Sequence, residues 1–467
     1  MKKIKALCLI LAVLLLLTAP VYAAEEDPSV SMGSHGIDAA NPLGTSEKLL
    51  ETAKAAILYE RNSDTMLYSW NADVQLEPSS MAKIMTALVA LENEKSDAIL
   101  TVTRSALNTI PVGSVSAGLK AGEELTLESL LYCCITASAN DATAVIAEEI
   151  GGSIGLFVQM MNDKAAQLGC KETNFVNPHG ITAEGAYTTA RDICRILDAA
   201  LDNPEFVKLF QADEYVIPAT SILGKERKII TTNYMQSTNY TSRFFDKRVT
   251  GGKTGSTNAG RCLAVTAQMG DMELIGIVME AIPTYEVEGI QLDYHGNFEE
   301  MAVLLDYADG SYEYRQVFYE GQALTQIPVQ NGTNDVVTTT TGAFSTVLPV
   351  EVDESKLRWV YVDAIDLKAP IEKGQVVSLA QVWYGDTCLV QTELVAMNSV
   401  DVYEPLPDQT HESGDDGFNG KLLLIILGCA AGLAMLVGVV FVIIRRIKNA
   451  KLNALRRREK HERRRYR

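Results

Sequence analysis

The sequence predicts an α/β (α+β) chain. An antiparallel sheet flanked by helices, with a helical subdomain, precedes a small all-β domain and a C-terminal transmembrane helix. Three observations predict this. Runs at helical spacing crowd residues 80–202, between a strand hairpin near residue 60 and a strand pair near residue 270. Short alternating runs replace them after about residue 309. Leu422 to Ile444 then holds 23 residues without a charge.

The elements follow in order. Met1 to Ala23 has the build of a secretory signal, with Lys2, Lys3 and Lys5, an apolar stretch from Ala6 to Leu17, and Val21-Tyr22-Ala23 as a cleavage site. An uncleaved anchor is the alternative, and the cleavage site weighs against it. Residues 24–46, polar with Gly and Pro, read as a linker. AAILYE and TMLYSWN flank Arg61-Asn62-Ser63-Asp64 as a hairpin. In EPSSMAKIMTALVALE, residues 77–92, the positions Met81, Ile84, Met85, Leu88, Val89 and Leu91 predict a helix with one face in a core. LTLESLLYCCITAS, NDATAVIAEEIG, SIGLFVQMMNDKAAQLG and RDICRILDAALD continue the helical block. CLAVTAQMG and MELIGIVMEA read as antiparallel strands about Gly270-Asp271, and NFEEMAVLLDYA as a further helix.

VVTTTT, STVLPVEV, LRWVYVDA, VVSLAQVWYG and CLVQTELVA make up the β-rich end. Residues 405–421 form a stalk. Leu422–Ile444 is long enough to cross a bilayer, for which roughly 20 residues suffice. Residues 445–467 carry 12 Lys or Arg against two Glu, which holds that tail in the cytoplasm. The expected outer domains are therefore 47–309 and 310–404, on a single C-terminal span of the cell membrane.

With the signal and tail set aside, 26 cations face 57 carboxylates between residues 24 and 444, a formal charge of about −31. Such acidity argues against nucleic-acid binding. Cys133, Cys134, Cys170, Cys194, Cys262 and Cys388 match no zinc spacing, and a domain this large needs no staples. Free buried thiols are expected, with no metal and no cofactor.

Three short motifs carry the chemistry. Ser80-Met81-Ala82-Lys83 places a lysine one turn from a serine at a helix N-terminus. Taken alone it is weak, because a capping serine with a surface lysine has the same letters. A cation there opposes the helix macrodipole, whereas desolvation favours the neutral amine, and a neutral amine can take a hydroxyl proton. Ser138-Ala139-Asn140, in TASANDATAV, sits at a break between helical stretches and offers a relay hydroxyl and an amide. Lys253-Thr254-Gly255, in VTGGKTGSTNAGRCLAV ahead of a strand, suits a substrate carboxylate at a strand edge, with Gly255 allowing close approach. Each alone is an ordinary loop or turn; their order on an exported chain is specific. S-x-x-K, S-x-N and K-T-G together mark penicillin-binding proteins and class A β-lactamases.

The chain resembles a low-molecular-mass penicillin-binding protein, a serine-type D-alanyl-D-alanine carboxypeptidase with the serine β-lactamase-like fold. NADVQLEPSSMAKIMTA, the Asn177-Pro178-His179-Gly180 loop and TTARD extend the likeness, which covers roughly residues 50–309, and the β-rich segment resembles the family's C-terminal domain. The resemblance implies Ser80 as nucleophile, Lys83 as general base and Ser138 as proton relay. It implies Asn140, Lys253, Thr254 and Gly255 as substrate-binding residues, and backbone N–H groups of Ser80 and Ser256 as the oxyanion hole. The implied partners are peptidoglycan stem peptides, β-lactam antibiotics and the membrane. His179 is implied to be structural. Ala139, Ala186 and Ser256 depart from the family's pattern, and no carboxylate-binding arginine can be matched, although Arg243 and Arg248 are near.

Two rivals remain. A β-lactamase needs a deacylating glutamate with asparagine four residues on, and Glu172 is followed at that distance by Val176. A non-catalytic receptor for β-lactams or peptidoglycan would signal through a tail of 23 residues without a domain. Acceptor choice between water and an amine, which separates carboxypeptidase from transpeptidase, is not written in the motifs.

Overall fold

In the computed structural model, residue 37 and residues 48–237, 243–287, 290–293, 295–362 and 367–404 are described. The expected signal, stalk, membrane span and tail, and the linker apart from residue 37, lie outside these residues. Among the described residues no single helix is long and apolar enough to cross a membrane.

The expected hairpin is β1 (Ala55–Glu60) and β2 (Thr65–Trp70). Every residue of β1 is buried, so it does not show the alternation of a strand with one wet face. Its even and odd positions enter different cores. Ala55, Ile57 and Tyr59 join a helical cluster on one side of the sheet, and Ala56 and Leu58 join a second cluster on the other.

The helix behind Ser80 is α1 (Ala82–Asn93). It is buried from Ala82 to Ala90, all round rather than on one face, which corrects the expectation of a half-exposed helix. The reason is its central place in the helical layer that follows. Short strands β3 (Ile99–Thr101) and β4 (Glu124–Thr126) bracket the short helix α2 (Arg104–Asn108). Then come α3 (Leu127–Ile135), α4 (Asn140–Gly151), α5 (Ile154–Gln167), α6 (Ala190–Leu201) and α7 (Pro204–Phe210). Thr126, Ser153, Thr189 and Asn203 each cap the following helix by accepting a backbone N–H. A hairpin of β5 (Glu214–Ile217) and β6 (Arg227–Ile230) leads on to β7 (Val249–Ser256).

The expected antiparallel pair is β8 (Arg261–Met269) and β9 (Met272–Ala281). The main sheet has the order β2-β1-β9-β8-β7, with every neighbouring pair antiparallel. Strand β7 is thus a sheet edge, and it carries the third motif inside a strand instead of ahead of one. A short pair, β10 (Thr284–Val287) and β11 (Ile290–Asp293), precedes α8 (Gly296–Ser311). Helix α8 covers the second face of the sheet through Phe298, Met301, Leu304, Leu305 and Ala308.

The chain then turns to β structure. It runs through β12 (Tyr312–Phe318), β13 (Thr325–Ile327), β14 (Val336–Thr340), β15 (Phe344–Pro349), β16 (Leu357–Val362), β17 (Val376–Tyr384) and β18 (Thr387–Ala396). Strands β12 and β15 pair, while the other five form a sheet of order β13-β14-β18-β17-β16. Two small apolar clusters, one around Val336 and Leu394 and one around Phe318 and Val382, hold these strands. The six cysteines among the described residues are free, and five of them are buried.

Candidate active site

A one-turn 3-10 helix, Ser79–Met81, feeds α1 and presents Ser80. Its geometry excludes the capping reading, since no side chain caps either this turn or α1. Ser79 is buried with a positive φ of 50°, whereas Ser80 is half-buried. Two glycines hold the turn. A Cβ on Gly255 would fall 1.9 Å from Ser79 Oγ, and one on Gly180 would fall 1.6 Å from the Ser79 carbonyl oxygen. Gly255 was expected to let a substrate approach closely; what approaches it here is the turn carrying the candidate nucleophile.

Lys83 is 0% exposed. Its Nζ lies 3.1 Å from Ser80 Oγ, 2.8 Å from Asn140 Oδ1 and 2.8 Å from the His179 carbonyl oxygen. As an ammonium it donates to all three. As an amine it has two N–H groups for the two carbonyl oxygens, and a lone pair left for the Ser80 hydroxyl proton. Burial lowers its pKa to about 8, partly offset by the nearby Cys134 thiol.

Asn140 opens α4, two residues after Ser138, whose positive φ of 57° marks a strained turn. Lys253 on β7 is also 0% exposed, and its Nζ donates to Ser138 Oγ at 2.9 Å and to the Thr254 carbonyl oxygen at 2.8 Å. Burial first, and then repulsion from Lys83, push its pKa well below the ordinary lysine range. The half-buried Thr254 shares a 2.5 Å hydroxyl contact with Thr232. Ser256, at the end of β7, is exposed. The structure therefore brings Ser80, Lys83 and Asn140 together directly, and joins Ser138, Lys253 and Thr254 in a second hydrogen-bonded group.

The Asn-Pro-His-Gly loop supports α1 through its backbone. Thr86 Oγ1 donates to the Pro178 carbonyl at 2.6 Å, one turn beyond the bond from Lys83 to His179. Asn177 Oδ1 accepts from Gly180 N at 2.7 Å and so folds the loop. The His179 ring accepts from Ile181 N at 3.2 Å, and burial together with Lys83 lowers its pKa to about 4. It is therefore neutral at working pH and occupied, consistent with a structural histidine.

Sequence reasoning missed Asp141. This buried carboxylate accepts from Ser116 Oγ, Ala117 N and Leu119 N at 2.5, 2.9 and 3.0 Å, and from Ala142 N at 2.9 Å. It bolts the loop before β4 to the start of α4, where Asn140 N also donates to the Val115 carbonyl at 2.9 Å. The available signal was an acid in the first turn of a helix, where the macrodipole favours it. Among the described residues no group of three or more His, Cys, Asp or Glu could hold a metal ion.

A model of the D-alanyl-D-alanine carboxypeptidase family matches residues 44–282, just over half of the chain, and one for the penicillin-binding protein 5 C-terminal domain matches residues 312–402. The chain belongs to the D-alanyl-D-alanine carboxypeptidase family. Among its carboxypeptidase relatives, DacF of Bacillus subtilis is 31% identical over 340 residues, 71% of this chain and 81% of that protein. DacA of Haemophilus influenzae is 29% identical over 386 residues, 79% of this chain and 88% of that protein. The crystal structure of penicillin binding protein 5 from Haemophilus influenzae matches with a TM-score of 0.59 at 27% identity, over 76% of this chain and 99% of that one.

Within this carboxypeptidase the unmatched arginine stays unmatched. Arg243 donates to Glu299 at 2.8 Å, and Arg248 is held by Asp246 and Asp306 at 2.6 and 2.7 Å. Both guanidinium groups are committed to carboxylates of their own chain.

Proposed function

We propose that this serine-type D-Ala-D-Ala carboxypeptidase removes the terminal D-alanine from peptidoglycan stem pentapeptides with Ser80 as nucleophile and Lys83 as general base. The observation that carries the assignment is the fully buried Lys83 amine, 3.1 Å from Ser80 Oγ and lowered to about 8. A base titrating near the working pH combines a useful neutral fraction with enough basicity to take the proton.

The substrate lies along the open edge of β7, where an extended peptide can add to the sheet. Asn140 holds the substrate amide, and Thr254 with the Gly255 backbone receives the terminal carboxylate. Lys253 is sealed behind Ser138, so it acts through that hydroxyl and through its field rather than by touching the carboxylate. The Ser80 and Ser256 N–H groups receive the oxyanion as Ser80 attacks the penultimate D-Ala carbonyl. The tetrahedral intermediate collapses, the C–N bond breaks, and the Ser138 hydroxyl relays a proton to the departing amine of D-Ala. Water then attacks the acyl-enzyme, with Lys83 again taking the proton, and releases the tetrapeptide. A β-lactam enters the same route and leaves its acyl group on Ser80.

The division into domains at residues 47–309 and 310–404, export by the N-terminal signal, and anchorage through Leu422–Ile444 with the basic tail inside complete the proposal. The division rests on the change from helical to alternating runs near residue 309, and export and anchorage rest on the hydropathy and charge of the two chain ends.

The assignment of Ser80 is tested with a fluorescent penicillin. Ser80→Ala should lose covalent labelling while the circular dichroism spectrum is unchanged, and Ser79→Ala should still label. Labelling of Ser80→Ala at the wild-type rate would overturn the nucleophile.

A further inference from the structure

The far side of the β7–β8 turn holds a strained, buried acid that the proposed reaction does not use. Glu280, the next-to-last residue of β9, has a φ of +52° and is 4% exposed. A left-handed conformation suits glycine and penalises every side chain with a Cβ. The strain has a topological origin. Leu263 faces Val278 and Arg261 faces Ala281, so Cys262 alone stands opposite both Met279 and Glu280. That is a β-bulge, a device that re-aims a side chain.

The bulge aims Glu280 at the turn after the third motif. Its Oε2 accepts from Lys54 Nζ at 2.6 Å, and its Oε1 receives the Thr257 hydroxyl at 3.3 Å. Thr257 directly follows Ser256, and its Oγ1 accepts from Ala259 N and Gly260 N at 3.0 and 3.1 Å, so this one hydroxyl organises the whole turn. Gly260 sits directly on the bulge, since a Cβ there would meet Glu280 and Ala281 backbone atoms at 2.6–2.8 Å. Glu280 N–H also points at Cys262 Sγ, 3.4 Å away, and Cys262 packs beneath Gly255.

We infer that Glu280 is a positioning residue for the acylation step: it seats the Thr257–Gly260 turn and thereby fixes the direction of the Ser256 N–H. The inference rests on the proposed role of that N–H in receiving the oxyanion. A donor on a free strand end would swing with its turn, and small displacements of an oxyanion donor are felt strongly in rate. The carboxylate touches no reacting atom. It acts through Thr257, and the left-handed backbone is the geometry that lets it reach there from a central strand.

Glu280→Gly and Glu280→Gln in the full chain, purified in detergent, test this. Glycine accepts the left-handed backbone, so this variant keeps the fold. Two readouts are compared with wild type: the acylation rate constant for a fluorescent penicillin at saturation, and the affinity for a D-Ala-mimicking boronic acid, whose tetrahedral oxygen takes the oxyanion position. Both should fall together by about tenfold in Glu280→Gly, a fraction of the 10²–10³ loss on deleting a donor outright. Glu280→Gln, which can still accept from Thr257, should lose less. The pH midpoint of acylation should stay at the wild-type value in both variants. Wild-type acylation and boronate affinity in folded Glu280→Gly would overturn the inference, as would a loss accompanied by a shifted pH midpoint, which would assign the effect to the field at Lys83. Neither result would touch the assignment of Ser80, which stands or falls on labelling of Ser80→Ala.

Discussion

Raising the pH from 6 to 9 should increase the acylation rate along one ionisation, because the reactive form of Lys83 is the neutral amine. Burial lowers that amine to about 8. At pH 7 about 9% of it is then neutral, against about 0.03% for a lysine at its ordinary value of 10.5. Burial is thus worth roughly 300-fold in available base at neutral pH. The rate should rise about tenfold from pH 6 to 7, bend near 8 and level off by about 9.5. The assay is stopped-flow acylation by a fluorescent penicillin at fixed ionic strength, with Lys83→Met as the reference. The same shift has a stability consequence of known sign. Between pH 8 and the ordinary lysine pKa the unfolded chain holds the proton and the folded chain does not, so stability rises with pH there, by up to about 3 kcal/mol. Lys83→Met removes that penalty but leaves Asn140 Oδ1 and the His179 carbonyl without their donor, at about 1–3 kcal/mol each. It should therefore fold with stability near or somewhat below wild type while losing acylation. A flat pH profile, or a midpoint above 10, would rule out Lys83 as the base and leave it a fixed cation.

Other outcomes follow from the same geometry. Lys83→Arg should lose acylation by at least about a hundredfold, because guanidinium stays protonated, and the same penicillin assay reads it. Gly255→Ala, whose Cβ would overlap Ser79 Oγ, should slow acylation and cost about 1–3 kcal/mol in urea unfolding, whereas Gly155→Ala, with open space around it, should leave acylation unchanged. A chain ending at Asp416 should be secreted as soluble protein with full activity on a soluble stem peptide and less on intact wall, since anchoring raises the effective concentration there. Retention of that form on membranes after a high-salt wash would defeat the proposed anchor.

The sheet and helical layer were legible where a period was long enough to read. Strands β8 and β9, α4 and α5 fall where their apolar spacing placed them, and Ser80 with Lys83 announced itself by spacing. Strand β7 did not, because VTGGKTGS holds three glycines and glycine is a poor strand former. Those glycines answer to neighbours. A Cβ at Gly251 would strike Phe210, one at Gly252 would strike Asn233 Nδ2, and one at Gly255 would strike Ser79. Close packing thus erased the pattern that would have revealed the strand. The His179 support of Lys83 was hidden for a different reason: a backbone carbonyl leaves no trace in residue type. The β5–β6 hairpin, with four-residue strands, is too short for alternation to stand out.

Hydrolysis of D-Ala-D-Ala at Ser80 is read most directly by the release of D-alanine. The full chain, purified in detergent, is incubated with a stem pentapeptide, and free D-alanine is followed with the tetrapeptide product by mass. One D-alanine should appear per tetrapeptide formed, sustained over many turnovers and absent in Ser80→Ala. A protein that labels with penicillin at Ser80 yet releases no D-alanine from the pentapeptide would contradict it and favour a β-lactam-binding receptor.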